Sequence, residues 1–98
     1  MAQVVYSEQA FADFERIFEF HSASDPDIAS EVVSTIREAI TILERHPLIG
    51  RLAGEELREL LISHRKTGFI ALYSYLERED SILVLALRHQ REAGYQVV

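Results

Sequence analysis

Four side chains near the C-terminal end of the chain are of types that carry chemistry: Arg88, His89, Arg91 and Tyr95. RNA cleavage without a metal needs a base, an acid and cations around the phosphate, and histidine titrates near neutral pH. The same residue types also occur at strand ends, where they pair with acids or contact partners. Two interpretations therefore stay open, a nuclease site and the polar rim of an interaction surface, and we favour the rim.

The other ionisable residues do not form a recognisable catalytic or metal-binding set. His64 and Arg65 fall at a predicted turn, which indicates either a solvated turn or a contact with a phosphate or a partner. The sequence has no cysteine, no paired-histidine metal motif and no glycine-rich phosphate loop. We therefore expect neither a metal nor a cofactor.

The composition is that of one folded domain: 98 residues, of which 48% are hydrophobic and 27% are charged. A net charge of -6 argues against general affinity for a nucleic-acid backbone, so we expect no sequence-specific DNA binding by this chain alone. No apolar run reaches the ~18 residues of a membrane span, and the N-terminal segment lacks the features of a signal peptide. We expect a cytoplasmic protein that does not enter a membrane.

Two amphipathic helices are predicted to form an antiparallel hairpin. Apolar residues recur every three or four positions from residue 8 to residue 22, although Phe20 lies off this stripe. A second stripe runs from residue 26 to residue 46. Pro26 suits the first position of that helix, and Pro47 ends it by disfavouring helical geometry in the residue before it.

A short strand at residues 3–6 precedes the helices, and three strand-like runs follow them. These runs are LRELLIS (57–63), GFIALYSYL (68–76) and SILVLAL (81–87), and a loop at 47–56 leads into them. Short polar connectors between the runs favour an antiparallel meander. The order β-α-α-β-β-β predicts an α+β fold in which the helical hairpin packs on one face of a small, mainly antiparallel sheet.

The last two strands are apolar on both faces, although a single helical hairpin can cover only one. In SILVLAL, alternation places Ile82, Val84 and Ala86 on one face and Leu83, Leu85 and Leu87 on the other. Because exposed apolar patches usually mark interaction sites, the second face is predicted to bind a partner. The predicted partner-binding residues are Ile70, Leu72, Leu83, Leu85, Leu87, Arg65, Arg88 and Arg91. The alternative is that loop 47–56 and the residues after Arg88 fold over this face.

The chain resembles the RelE/ParE superfamily of type II toxin–antitoxin toxins, also called plasmid-stabilisation proteins. The resemblance covers nearly the whole length and rests on the order of YSEQAFADFERIFEF, DP, HPLIGR, LRELLIS, GFIALYSYL and RHQRE. It implies a single toxin domain over residues 1–98 with the β-α-α-β-β-β fold. It also implies that a cognate antitoxin, which we expect to be of the ribbon-helix-helix type, wraps the toxin and neutralises it.

The superfamily contains ribosome-dependent mRNA endonucleases similar to RelE and DNA gyrase inhibitors similar to ParE, and the sequence offers a way to choose. RelE-like members carry an arginine two residues after the glycine of the third strand, whereas GFIALY has Ile70 there. ParE-like members end the last strand in a pattern like H-x-R-R, which His89 and Arg91 match and Glu92 does not. The resemblance therefore favours a gyrase inhibitor that is not an enzyme.

Two alternatives remain at this stage. In an mRNA endonuclease that acts on the ribosome, Arg88 and Arg91 would bind phosphate, and His89 or Tyr95 would transfer the proton. A member that binds the antitoxin but has lost toxicity is the other alternative.

Overall fold

Local capping signals fix the two helices, whose order matches the prediction. The computed structural model describes residues 1–96. The side chain of Ser7 accepts from the backbone N–H of Ala10 at the start of helix α1 (Glu8–Ser22), and Asp25 caps helix α2 (Pro26–Ile40) in the same manner. A 3₁₀ helix (Thr41–Glu44) follows α2. No helix within residues 1–96 is both long enough and apolar enough to cross a membrane.

Five strands form one mixed sheet: β1 (Gln3–Tyr6), β2 (Arg51–Gly54), β3 (Leu57–His64), β4 (Thr67–Leu76) and β5 (Ser81–His89). Their order in the sheet is β1-β5-β4-β3-β2, with β1 parallel to β5 and every other pair antiparallel. The helical hairpin packs on one face of this sheet, so the predicted α+β fold is confirmed.

Strand β2 was not predicted, because the sequence of residues 47–56 indicates a loop. The run RLAG is short, exposed and without alternation, so it carries no strand signal of its own. Its pairing depends on β3, which it meets through a tight turn in which Glu56 has a φ of 57°. An ion pair of 3.0 Å between Arg51 and Glu59 links the two strands.

The core lies between the helical hairpin and the inner face of the sheet. Its main members are Ala10, Ile17, Val32, Ile36, Ile40, Leu43, Ile62, Phe69, Ala71, Tyr73, Ile82, Val84 and Leu87. The buried Tyr73 hydroxyl accepts from the N–H of Gly50 and donates to the carbonyl of Pro47, both at 2.9 Å. Residue 50 has to be glycine, because a Cβ there would lie 2.6 Å from that hydroxyl.

A bulge in β5 reverses the expected facing of two residues. Leu72 pairs with Ala86 and Tyr73 pairs with Val84, so Leu85 is an extra residue in the ladder. The alternation changes phase at that point. Ala86 therefore lies on the outer face, and Leu87 is fully buried in the core on the helix side. The predicted exposure of Leu87 to a partner was wrong for this reason.

Strand β5 continues past the end of β1, and side chains rather than a strand complete its free edge. Asp13, which is only 1% exposed, accepts from the N–H of Leu87 at 2.8 Å. Arg16 donates to the Leu87 carbonyl at 3.3 Å, and Ser7 donates to the Leu85 carbonyl at 2.9 Å. The next N–H that points outward from β5 belongs to His89, and the Glu92 carboxylate accepts from it at 3.1 Å. Helix α1 therefore satisfies backbone groups that the sheet leaves open.

The C-terminal segment covers part of the outer face. The Tyr95 hydroxyl donates to Glu59 on β3, and the Arg88 guanidinium on β5 lies 5.1 Å from the centre of the Tyr95 ring. Tyr95 thus spans β4, where Ile70 is 2% exposed. The expectation of an open Ile70 was wrong because the residues after Arg88 fold over it.

The remainder of the outer face is less completely covered. Leu72, Leu83 and Leu85 are half-buried, whereas Leu61 is 53% exposed. The alternative that the chain covers its own second face therefore applies at the Ile70 end and not over the whole sheet.

We expect Asp13→Asn to lower the free energy of unfolding by about 2 kcal/mol, because it weakens a buried acceptor of a backbone N–H and removes a charge beside Arg16. Urea unfolding at neutral pH measures the change. Glu15→Gln is the matched control, since Glu15 is an exposed carboxylate on the same helix. Equal stability of the two variants would contradict the role of Asp13.

The hydrogen bond between Tyr95 and Glu59 should make stability depend on pH. That hydrogen bond is the main cause that holds the pKa of Glu59 below its ordinary value. A lowered folded pKa stabilises the protein above the unfolded glutamate pKa of about 4.3, and this stabilisation is lost as the pH falls through the folded value.

We therefore expect Tyr95→Phe to cost about 1 kcal/mol at pH 7 and clearly less at about pH 3. Urea unfolding at both pH values measures the difference. Tyr75→Phe is the control, because the Tyr75 hydroxyl donates to the exposed Asp80, and exposed pairs contribute little. A cost for Tyr95→Phe that is the same at both pH values would count against the bond to ionised Glu59.

Candidate functional site

The four candidate residues at the end of β5 are divided between two faces of the sheet. Arg88 pairs with Ile70 on the outer face, where it stacks on Tyr95. His89 pairs with Phe69 on the helix side, and Arg91 lies on that side too. Successive residues of a strand point to opposite faces. The predicted nuclease residues therefore do not converge on one site.

On the helix side, a cleft of about 480 Å³ lies between the end of α1 and the ends of β4 and β5. Four aromatic rings line it in a row, at successive centre-to-centre distances of 5.2, 6.0 and 5.3 Å: Phe20, His21, Phe69 and His89. Each contact is close to edge-to-face, which suits the quadrupoles of the rings. Arg16, Arg91 and Glu92 form the polar rim of this aromatic cleft.

His89, one of the two histidines of the aromatic cleft, is a poor candidate for proton transfer. His89 Nδ1 accepts from the N–H of Arg91 at 3.0 Å, and its Nε2 is hydrogen-bonded to the hydroxyl of Thr67. Both ring nitrogens of His89 are therefore already bonded. Burial lowers the pKa of His21, and the nearby His89 and His64 lower it further, so His21 is neutral near pH 7.

Of the two arginines at the rim, only Arg91 is free for a partner. The Arg16 guanidinium donates to Glu92 at 2.8 Å and also contacts Asp13 and the carbonyl of Leu87. Arg91 is exposed and has no ion pair within residues 1–96. The aromatic cleft thus combines an apolar floor with one available positive charge, which is the chemistry of a protein-binding hot spot.

On the outer face, the polar groups bond to one another. Burial and the hydrogen bond to Glu59 raise the pKa of Tyr95 far above its ordinary value, so its hydroxyl stays protonated and does not act as a base. Arg88 donates to the carbonyl of Glu92 at 2.8 Å while it stacks on Tyr95. Neither Arg88 nor Tyr95 is therefore free to act on a phosphate in this conformation.

Arg65, the other predicted partner contact, belongs to the β3–β4 turn, where its φ is 55°. Its guanidinium lies 3.0 Å from Glu31 on α2, and His64 lies 3.3 Å from the same carboxylate. Arg65 is itself exposed, so a partner can still reach it. Its nearest partner in the fold is nevertheless an acid of its own chain.

The aromatic wall of the cleft was not predicted from the sequence. Phe20 is 73% exposed, and it stood out only because it lies off the apolar stripe of α1. A large exposed aromatic residue without a place in the core was the one signal that could have identified it. Phe69 gave no such signal, because its position in the alternating pattern of β4 is that of an ordinary core residue.

Comparison with known proteins places this arrangement in a family. The chain matches the family described as ParE toxin of type II toxin-antitoxin system, parDE, over residues 4–94. No curated protein matches the chain significantly.

Solved structures agree with the fold. The chromosomal ParDE system from P. aeruginosa contains a similar chain, with a TM-score of 0.77 and 20% identity over 91% of this chain and 96% of that one. The isolated E. coli RelE toxin gives a TM-score of 0.70 and 12% identity over 95% and 88%. A chain of the intact E. coli RelBE toxin-antitoxin complex gives 0.69 and 13% over 94% and 100%. Since the family match spans most of its length, the chain belongs to the ParE toxins of type II toxin–antitoxin systems.

Proposed function

We propose that this toxin acts in the cytoplasm by binding and inhibiting DNA gyrase, and that a cognate ribbon-helix-helix antitoxin neutralises it. The main support is the position of the candidate acid/base residues His89 and Tyr95, which lie on opposite faces of the sheet and are bonded within the chain. His89 has both ring nitrogens engaged, and Tyr95 is held protonated by Glu59. An inhibitor that works by binding needs no free proton-transfer pair.

Ile70 supports the same proposal. It stands where RelE-like sequences carry an arginine, and it is buried beneath the C-terminal segment. An isoleucine cannot stabilise the charge that develops on a phosphate. The absence of one such cation typically costs ~3 kcal/mol of transition-state stabilisation, which is about a hundredfold in rate.

The aromatic cleft is the surface that we assign to gyrase. Interface hot spots are enriched in aromatic residues and arginine, and they need one apolar region that excludes water. Phe20 and Arg91 supply these groups in exposed positions at the same cleft. The outer-face residues Leu72, Leu83 and Leu85 stay candidates for contact with the antitoxin, as proposed from the sequence.

We expect Phe20→Ala and Arg91→Ala each to raise the toxin concentration needed for half-inhibition of gyrase supercoiling about tenfold or more, because each removes a hot-spot contact. Matched controls are Phe11→Ala and Arg78→Ala. Phe11 is an exposed phenylalanine on another face of α1, and Arg78 is an exposed arginine in the β4–β5 turn at the far end of β5.

Two results of this assay would contradict the proposal. If the wild-type toxin leaves gyrase unaffected at micromolar concentration, gyrase is not the target. If the control variants lose as much inhibition as the cleft variants, the aromatic cleft is not the binding surface. Cell growth after toxin induction without the antitoxin is measured in parallel. Normal growth would identify a family member that is not toxic at all.

The rival function, ribosome-dependent mRNA cleavage, has its own test. We expect primer extension on translated mRNA to show no new 5′ ends after toxin induction, because the candidate proton-transfer residues His89 and Tyr95 are bonded within the chain. New ends that appear with the wild-type toxin and vanish with His89→Ala or Tyr95→Phe would favour the endonuclease instead.

A further inference from the structure

The aromatic cleft offers an incoming group mainly the surface of rings. Its floor consists of Ile17 and Phe69, which are 3% and 1% exposed, so these two side chains have little area left for a further contact. His21 and His89 are half-buried, and Phe20 is 73% exposed at the mouth. The surface that a guest meets therefore belongs chiefly to one phenyl and two imidazole rings.

The row of rings favours an aromatic guest over an aliphatic one. The planes of neighbouring rings in the row are inclined by 86°, 63° and 80°, so each ring turns an edge toward the face of the next. Aromatic pairs in this geometry gain more free energy than the burial of their area alone provides. The cleft volume of about 480 Å³ lies in the range of small-ligand pockets, so a guest ring can extend the row.

The charges at the rim select the sign of the guest. Arg16 donates to Glu92 at 2.8 Å, and Glu92 also accepts from the N–H of His89, so this carboxylate is already bonded. Arg91 is exposed and has no ion pair within residues 1–96. A cationic guest would be repelled by Arg16 and Arg91, whereas a guest with a negative charge finds a partner in Arg91.

The guest is further limited to a single negative charge. Nucleic acids bind through several phosphates at once, and a chain of net charge -6 repels such a polyanion. Two successive residues of a polypeptide, one aromatic and one acidic, supply a ring and one charge on Cα atoms about 3.8 Å apart. A protein surface with such a pair therefore matches both the rings and the rim of the cleft.

We propose that the aromatic cleft recognises an aromatic side chain that stands next to a carboxylate on the surface of gyrase, with the ring against Phe20 and His21 and the carboxylate on Arg91. This inference rests on the proposed function insofar as gyrase presents the two groups. The selection of a ring with one adjacent negative charge is a property of the toxin alone, and it can be measured without gyrase.

Three capped dipeptides test the ligand class on the wild-type toxin: acetyl-Trp-Asp-amide, acetyl-Trp-Asn-amide and acetyl-Leu-Asp-amide. We expect the first to bind with a Kd of about 1 mM and to shift the backbone amide NMR signals of Phe20, His21 and His89. Replacing Asp by Asn should raise the Kd about threefold, and replacing Trp by Leu about fivefold, because each removes one recognised group. Equal Kd values for the three dipeptides, or shifts confined to the outer face, would overturn the proposal.

Two variants assign each preference to its residue. Arg91→Ala should abolish the preference for Asp over Asn and keep that for Trp over Leu, whereas Phe20→Leu should have the opposite effect. Arg78→Ala and Phe11→Leu are the matched controls, because both residues are exposed and neither lines the cleft. We expect both controls to keep the wild-type preferences. A preference for Asp that survives Arg91→Ala would overturn the pairing of the carboxylate with Arg91.

Competition identifies the source of the two groups. If gyrase presents them, excess acetyl-Trp-Asp-amide should restore supercoiling in the presence of the toxin, at about one third of the concentration that acetyl-Trp-Asn-amide needs. Binding of the first dipeptide in the cleft without any restoration would overturn gyrase as the source.

The other possible occupants give different results. Displacement of the bound dipeptide by the antitoxin, with no effect of the dipeptide on gyrase inhibition, would assign the cleft to the antitoxin and overturn the inference. Cleft amide signals that shift with the concentration of the toxin alone would assign it to a second copy, with the same consequence. Failure of the wild-type toxin to inhibit gyrase would count against the proposed function, and the dipeptide Kd values would still decide what the cleft selects.

Discussion

The free edge of β5 is the constraint on which the rest of the molecule depends. Strand β1 ends at Tyr6, opposite Val84, yet β5 runs on to His89, so the outward backbone groups of its last residues have no strand partner within residues 1–96. Asp13 and Arg16 of α1 bond to the N–H and the carbonyl of Leu87. This places a buried carboxylate between helix and sheet, and it fixes the position of α1 relative to the strand that carries both candidate surfaces.

The bulge at Leu85 determines what each surface contains. Without the extra residue, Leu87 would lie on the outer face, and Arg88 would point toward the helices. With it, Leu87 enters the core, Arg88 reaches Tyr95, and His89 joins the aromatic cleft. A one-residue shift changes the face of every later side chain in a strand. The separation of Arg88 from His89, which argues against a nuclease site, follows from alternation after this bulge.

Several of the cations are bonded within the chain. Arg16, Arg51 and Arg65 have acidic partners, and Arg88 bonds to a carbonyl and to an aromatic ring. The chain carries a net charge of -6, so its acids outnumber its cations. The proposed association therefore depends chiefly on apolar contact, to which Arg91 is expected to add orientation, because charged groups contribute more to specificity than to affinity. This fits the exposed Phe20 of the aromatic cleft.

The sequence by itself determined both helices, three of the four strands after them, most of the helix-side core and the family resemblance. These features depend on patterns within a few residues, such as periodicity and the Asp25-Pro26 cap. The tertiary structure alone decided the bulge, the strand β2, the buried role of Asp13 and the cover that Tyr95 gives to Ile70. Each of these depends on contacts between distant parts of the chain, such as Asp13 with Leu87 or Tyr95 with Glu59. The candidate site was therefore predicted in its residue types, whereas its division between two faces had to come from packing.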